Sequence, residues 1–390
     1  MPSAVLVDAV RTPVGRRNGS LRGWHPVDLA AEVLGALVRR NDLDPALVDD
    51  VIVGCVTQVG EQALNVGRSA VLAAGFPEEV PGATVDRQSG SSQQAVHFAA
   101  QGVLAGAYDV VIAAGVEATS RVPVGASMQV GGAPFGPRVL DRYASRGGLV
   151  PQGISAEIVA DRWQLSREDL DAYSARSQQR AAAARHAGRF GGEIVAVAVK
   201  NEAGEPTGAA LDHDEAVRPE TTVESLAALK PAFKDGGKVT AGNSAQSGDG
   251  AAAVLLTSEE RASELGLAPR ARFHTFALAG VDPIAMLTGV VPATRKALER
   301  GKLDIDDIEV IEVDEAFASA VLAWQAELHA DGDRLNANGG AIALGHPLGC
   351  AGARLMATAV HELGRGGGRY ALQAMCEGGG LANATILERL

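Results

Sequence analysis

Apolar residues along this chain fall into two kinds of run. Short unbroken stretches rich in Val, Ile and Ala predict strands covered on both faces: AVLVDAV (Ala4–Val10), DVIVGC (Asp50–Cys55) and VVIAAG (Val110–Gly115). Between them, apolar positions recur at helical spacing near Val27–Arg40, near Ala63–Ala74 and after Ser89. The final third repeats the order. A strand-like ARFHTFALAG leads to a helix near Val290–Arg300, the strand EVIEVD and a helix near Ala316–His329. A glycine-rich turn, another helix and the strand YALQAMC follow.

The two thirds read as copies of one unit. LDPALVDDVIVG (Leu43–Gly54) resembles LDIDDIEVIEV (Leu303–Val313), an acidic stretch feeding a buried strand in each. YDVVIAAG matches YALQAMC in position, with Val110 opposite Ala371, 261 residues on. The same offset carries Ser89 onto Cys350, so the two turn-to-helix steps are expected to be pseudo-symmetric partners. Between the copies lies a region with loops rich in Gly and Pro (VPVGASMQVGGAPFGP), two helical patterns (Ser155–Trp163 and Arg167–Ala187) and the polar stretch NEAGEPTGAALDHDEAVRPE. A loop-rich insertion beside a rigid core is a common place for a substrate lid. The division expected is residues 1–118, completed by about 239–268, as one half; 119–238 as an inserted loop domain; and 269–390 as the other half.

Composition narrows the picture. A chain of 390 residues with 46% apolar and only 4% aromatic residues supports large cores built from Ala, Val, Leu and Ile. The formal net charge of −12 disfavours general binding of nucleic acid or anionic membranes, although a local basic pocket for a phosphorylated ligand fits. No apolar run reaches the ~18 residues that span a bilayer, and no basic and apolar leader precedes Ala4. Three cysteines without metal spacing suit a reducing cytoplasm.

The candidate chemistry gathers near the C-terminus. His346 stands among glycines, before Pro347, at a tight turn ahead of a helix, a setting suited to general acid–base work. Cys376 ends an apolar strand and precedes Glu377 and three glycines, whose backbone N–H groups can lower a thiol pKa and bind an oxyanion. Cys350, at a helix start, and Cys55, within a strand, read as packing residues.

These segments, GGAIALGHPLG (Gly339–Gly349) and MCEGGG (Met375–Gly380), resemble two marker blocks of the thiolases, which move acyl groups to and from coenzyme A. TAGNSAQSGDGAAAV (Thr240–Val254) and DEAFASA (Asp314–Ala320) resemble two further segments, and VDRQSGSSQQAV (Val85–Val96) the block that carries the nucleophile. The similarity runs in family order over essentially the whole chain. It implies a thiolase-like α/β fold: two pseudo-symmetric βαβαβ-type halves in an αβαβα layered core, plus the inserted loop domain. It also implies cleavage of 3-ketoacyl-CoA by CoA, or the reverse Claisen condensation, through a covalent acyl-enzyme, in degradative lipid metabolism such as fatty-acid β-oxidation. Coenzyme A is then a substrate, and no cofactor or metal is expected. The expected partners are acyl-CoA and CoA, in a homodimer or homotetramer with the edge of the first half's sheet buried.

By the same resemblance, His346 activates the nucleophile and helps hold the thioester oxygen, and Cys376 shuttles the second substrate's proton. The N–H groups of residue 89 and Gly378 form an oxyanion hole. Arg218, Ser225, Phe233, Ala316 and Phe317 align with CoA-contacting positions. Ser244 is placed to replace a hydrogen bond lost at Ala245. The histidine that short-chain members carry before their M-G-x-x-A-E segment is absent from LVPQGISAE (Leu149–Glu157), which suggests an acyl group larger than acetoacetyl.

Two positions depart from the family pattern. Ser89 stands where the nucleophilic cysteine is expected. A serine hydroxyl stays protonated where a thiol at a helix N-terminus ionises, and an oxygen ester is a poorer acyl donor to a thiol than a thioester is. Little or no thiolase turnover is therefore expected. The intact state of the other blocks favours a deliberate Cys-to-Ser replacement over natural divergence. A non-catalytic acyl-CoA binder and a condensing enzyme or hydrolase that uses Ser89 directly are the alternatives. Against a serine hydrolase, QSGSS is not the G-x-S-x-G elbow and no matching Asp is evident. Asp314 is the second departure, at a position where the family has an Asn that orients a water.

Overall fold

The computed structural model describes residues 3–129 and 131–390. The strands in chain order are β1 (Ala4–Arg11), β2 (Gly15–Arg16), β3 (Asp50–Gly54), β4 (Gly82–Val85), β5 (Val110–Ala118), β6 (Val197–Lys200), β7 (Pro206–Leu211), β8 (Gly248–Ser258), β9 (Ala271–Gly280), β10 (Val310–Val313), β11 (Tyr370–Glu377) and β12 (Leu381–Arg389). One mixed sheet runs in the order β10-β11-β12-β9-β1-β8-β5-β3-β4, with β2 added to β8, and β6 and β7 form a separate hairpin. The order is the same outward on either side of its middle: β1, β8, β5, β3 on one side and β9, β12, β11, β10 on the other. The sides meet through two paired positions, Val5 with Arg272 and Leu6 with Ala271.

Side-chain alternation divides each side into two faces. In β5, Val110, Ile112, Ala114 and Val116 join an outer core with Leu29, Val33 and Leu37 of the helix Pro26–Arg40. Val111 and Ala113 instead join an inner core. That inner core holds Val96, Ala99 and Val103 of the helix Ser91–Leu104 beside Ala353, Met356 and Val360 of the helix Ala351–Gly366. Beyond β10 to β12, a further core is built from the helices Val290–Gly301 and Ala318–Leu328, with Val290, Val321 and Trp324. The layers are therefore helix, strand, helix, strand, helix, and the two middle helices are covered on both sides. Their richness in Ala follows from that covering. Ala353 donates its N–H to Ser92 Oγ at 2.9 Å, a contact between residues separated by the repeat offset of 261.

Several elements differ from expectation. The second helix starts at Val66, because Asn65 caps it by accepting from Arg68 N at 3.1 Å and Leu64 holds a positive φ of 59°. The helix expected from Ala316 starts at Ala318, since Phe317 is extended and Ala316 and Ala318 are bonded to Ala245 and Asn243. Cys55 lies one residue past β3, with its N–H on Val85 O at 3.0 Å. The inserted region holds the helices Gln152–Arg162 and Arg167–His186, the second opened by a capping box between Ser166 and Asp169. It also holds the β6–β7 hairpin and the short helices Pro137–Ala144 and Val223–Ala227, none of which the hydrophobic pattern announced.

Candidate active site

β4 runs into a tight turn that sets Ser89 just before the inner helix. Gln88 takes φ 47°, Gly90 N donates to Arg87 O at 3.1 Å, and Ser91 N donates to Gln88 O at 3.0 Å. Ser89 is buried, and its Oγ donates to the carbonyl oxygen of Cys376 at 2.8 Å. The glycine after it is required by space, since a Cβ on Gly90 would overlap Glu377 Oε1.

His346 sits at the matching step of the other half. The short helix Ala341–Leu344 ends at Gly345, whose φ of 99° suits glycine and whose added Cβ would stand 2.7 Å from Val14 Cγ1. His346 N then donates to Gln246 O at 2.8 Å, and one 3-10 turn, Leu348–Cys350, leads into the inner helix. Glu117 holds this turn from the opposite half. Its carboxylate accepts from Gly349 N at 2.9 Å, Val56 N at 3.0 Å, Thr57 N at 3.1 Å and Gln62 Nε2 at 2.8 Å.

Asp314, the first residue past β10, is anchored by its N–H on Ala374 O at 2.9 Å. Its Oδ1 stands 3.4 Å from His346 Nδ1. This is ion-pair distance without hydrogen-bond alignment, as neither Asp314 oxygen nor His346 Nδ1 has a hydrogen-bond partner among the described residues. Burial raises the Asp314 carboxyl above the usual carboxylate range, opposed by the charges of His346 and Arg354. The neighbouring Glu315 is fully engaged. It accepts from Tyr173 Oη at 2.7 Å, Ser177 Oγ at 2.8 Å, Asn336 Nδ2 at 3.1 Å and Ile342 N at 3.1 Å, which ties the DEAF segment to the insertion and to the turn before His346.

Cys376 lies near the end of β11, buried against Ser89's turn. Its thiol is pushed well above its usual range, first by burial and then by the Asp314 and Glu377 charges. The expectation that the glycine run lowers this pKa is corrected: loss of hydration outweighs the local backbone dipoles. Gly378 faces Gln88, whose Oε1 would be 2.9 Å from an added Cβ, so the two segments carrying the expected oxyanion donors are packed together.

Most of the residues matched to CoA contacts are joined to one another or, through Gln246, to His346. Ser244 pairs with Phe317 as an antiparallel bridge and gives its hydroxyl to Thr240 O at 2.7 Å, so that hydroxyl is already engaged. Ala245 N donates to Ala316 O at 3.0 Å. Phe233, exposed, meets Phe317 edge-on with ring centres 5.9 Å apart. Arg218 is exposed and donates to Gln246 Oε1 at 2.9 Å, which leaves it two hydrogen bonds from His346. Ser225 caps its own short helix with Thr222 and makes no contact with these residues in the bonds it forms.

Sequence reasoning missed Glu117, Gln246, Glu315 and Glu377. A charged residue inside the apolar run VVIAAGVEA was the available signal for Glu117. Glu377 is the oddest of them. It is wholly buried, neither carboxylate oxygen has a hydrogen-bond partner among the described residues, and burial pushes its pKa up to about 8 against the opposing charge of Arg87.

With this geometry established, comparison with known proteins is direct. The thiolase N-terminal domain model matches residues 4–260 and the thiolase C-terminal domain model residues 267–389. A steroid 3-ketoacyl-CoA thiolase of Mycobacterium tuberculosis is 50% identical, over 100% of this chain and 95% of that protein. A beta-ketoadipyl-CoA thiolase of Escherichia coli is 46% identical over the whole of both. The crystal structures of the Bacillus anthracis acetyl-CoA acetyltransferase and of human mitochondrial 3-ketoacyl-CoA thiolase superpose with a TM-score of 0.90 each, at 38% and 36% identity, over 100% of this chain and 99% of theirs. The chain belongs to the thiolase family. It has the fold and the ancestry of an acyl-CoA acyltransferase, and among the described residues no helix is long and apolar enough to cross a membrane.

Proposed function

We propose that this site binds a 3-ketoacyl-CoA and breaks its C2–C3 bond by passing the acyl group to residue 89. The observation that carries this reading is the convergence of Ser89, Cys376, Asp314 and His346. Ser89 Oγ bonds the Cys376 carbonyl at 2.8 Å, and His346 Nδ1 stands 3.4 Å from Asp314 beside the same thiol. Attack by residue 89 on the C3 ketone leaves the electron pair on C2, as the enolate of a CoA thioester. Cys376, neutral because buried, supplies the proton to C2. The N–H groups of residue 89 and Gly378 stabilise the oxyanion. Arg218, Phe233, Ala316 and Phe317 hold the CoA, and Ser225, whose bonds stay within its own short helix, is the least supported of the expected contacts.

The acyl group in this reading is larger than acetoacetyl. The absence of the short-chain histidine before Gly153 supports it, as do relatives named for steroid and ketoadipyl substrates. The setting is degradative and cytoplasmic, and the assembly is at least a dimer, using the edge strand β4. Serine at 89 makes delivery of the acyl group to CoA slow. The test is thiolysis of 3-ketodecanoyl-CoA by this chain and by Ser89→Cys. Strong CoA-dependent cleavage by the cysteine form supports the reading; absence of cleavage in that form, with CoA binding intact, overturns it in favour of a binding protein.

A further inference from the structure

The two departures from the family pattern both border Cys376: Ser89 Oγ donates to its carbonyl oxygen at 2.8 Å, and the Asp314 charge acts on its thiol. A deliberate disabling of the nucleophile explains Ser89 and leaves Asp314 unexplained. A serine nucleophile needs an adjacent base, and that base needs a third group to orient it and to stabilise its cationic form. His346 is the base expected in this site, and its Nδ1 is 3.4 Å from Asp314 Oδ1. Asp314 is 1% exposed, and neither of its oxygens has a hydrogen-bond partner among the described residues. A buried carboxylate without donors is costly, and two cationic groups act to offset the cost, the His346 imidazole first and Arg354 after it. With Nδ1 at ion-pair distance from Asp314, Nε2 is the ring nitrogen left for the reacting groups. An asparagine at 314 would offer His346 no anion.

We propose that Ser89, His346 and Asp314 make this chain a hydrolase of 3-ketoacyl-CoA, with water as the final acyl acceptor. The inference rests on the substrate reading above. In the first half-reaction Ser89 Oγ bonds to C3 and its proton passes to His346. The C2–C3 bond breaks with its electron pair on C2, and C2 takes the thiol proton of Cys376. Cys376 then recovers the proton held by His346. In the second, water bonds to the ester carbon and gives a proton to His346, the bond from Oγ to that carbon breaks, and Oγ takes the proton back. The sum is 3-ketoacyl-CoA plus water giving a carboxylic acid and acetyl-CoA. Water suits an oxygen ester, because transfer from such an ester to a thiol runs uphill and hydrolysis runs downhill. Asp314 acts through His346 and is a positioning residue.

The experiment incubates the full chain with 3-ketodecanoyl-CoA in CoA-free buffer made with isotopically heavy water oxygen. The expected products are acetyl-CoA and octanoic acid carrying the heavy oxygen, with a transient octanoyl ester on Ser89 seen by mass spectrometry. Asp314→Asn is expected to cut this hydrolysis about 100-fold or more, the scale of general-base assistance. In the Ser89→Cys background the same change is expected to raise CoA-dependent thiolysis, since it removes a buried anion from beside the oxyanion. A merely structural Asp314 would lower both rates. No acetyl-CoA release by the Ser89 chain, while Ser89→Cys thiolyses normally, overturns this inference and leaves the substrate reading standing. Hydrolysis insensitive to Asp314→Asn also overturns it. Inactivity of Ser89→Cys as well removes both.

Discussion

The hydroxyl of Ser89 donates to the backbone carbonyl of Cys376 at 2.8 Å, so a turn of one half is fastened to the last strand of the other. The bond aims Oγ along β11 and places the glycine that follows it directly against Glu377. Three expectations follow from how this junction is built.

The first concerns pH. Glu377 is protonated in the folded protein up to about pH 8, whereas a free glutamate ionises near ~4.3. Between those values the folded state holds a proton that the unfolded chain does not, so stability falls as pH rises through that window and levels off above it. Glu312, pushed up to about 8 by burial, adds a slope of the same sign. Glu377→Gln is expected to raise the urea midpoint relative to the parent at pH 8.5, with the difference shrinking towards pH 4.5. Equal midpoint differences at both pH values would show that the carboxyl is not held neutral.

The second concerns Glu117. Removing its carboxylate strands the buried N–H groups of Thr57 and Gly349 and the half-buried one of Val56, while the Gln62 amide keeps Thr57 O. At ~1–3 kcal/mol for each unsatisfied buried group, Glu117→Ala is expected to cost at least about 3 kcal/mol. Urea unfolding measures the loss. Hydrogen exchange at the Gly349 amide, on the turn that carries His346, should quicken by more than the global destabilisation accounts for. A cost under about 1 kcal/mol would contradict the role given to this residue.

The third concerns the thiols. Cys55, Cys350 and Cys376 are all buried, and burial raises each pKa, that of Cys350 to about 12. A thiol-specific disulfide reagent at pH 8 is expected to find no fast-reacting group in the native protein and three in denaturant. Ser89→Cys should add one fast thiol, since it stands at the start of a 14-residue helix. A fast native thiol in the parent chain would overturn the account of Cys376.

Much of the layering is legible in the hydrophobic pattern, because strands such as VVIAAG and DVIVG are packed on both faces and so carry no polar alternation. The repeat offset is legible too, and Ser92 touches Ala353 at that separation. The strand Leu381–Arg389 was not foreseen, because LANATILER mixes small and polar residues and follows a glycine run. Within the site, the segments around Ser89, His346 and Cys376 stand out by their glycines. The pairing of His346 with Asp314 does not, since the two are 32 positions apart and meet only in the fold, with Asp314 held on Ala374 and His346 on Gln246. Glu117 and Gln246 take their partners from distant turns, so although a charge inside VVIAAGVEA marks Glu117, nothing local says what it holds.

The contact between Ser92 and Ala353 lies where the two inner helices meet. Residues equivalent under the repeat can touch each other only on the axis that relates the two halves. One polypeptide here does what a symmetric pair of shorter chains would do, its two inner helices meeting as two identical subunits would meet. Such a pair would own two identical turns, one at each helix start. Within one chain the two turns are free to differ, and they do: Ser89 is fastened to the Cys376 carbonyl, and its counterpart Cys350 fills the inner core.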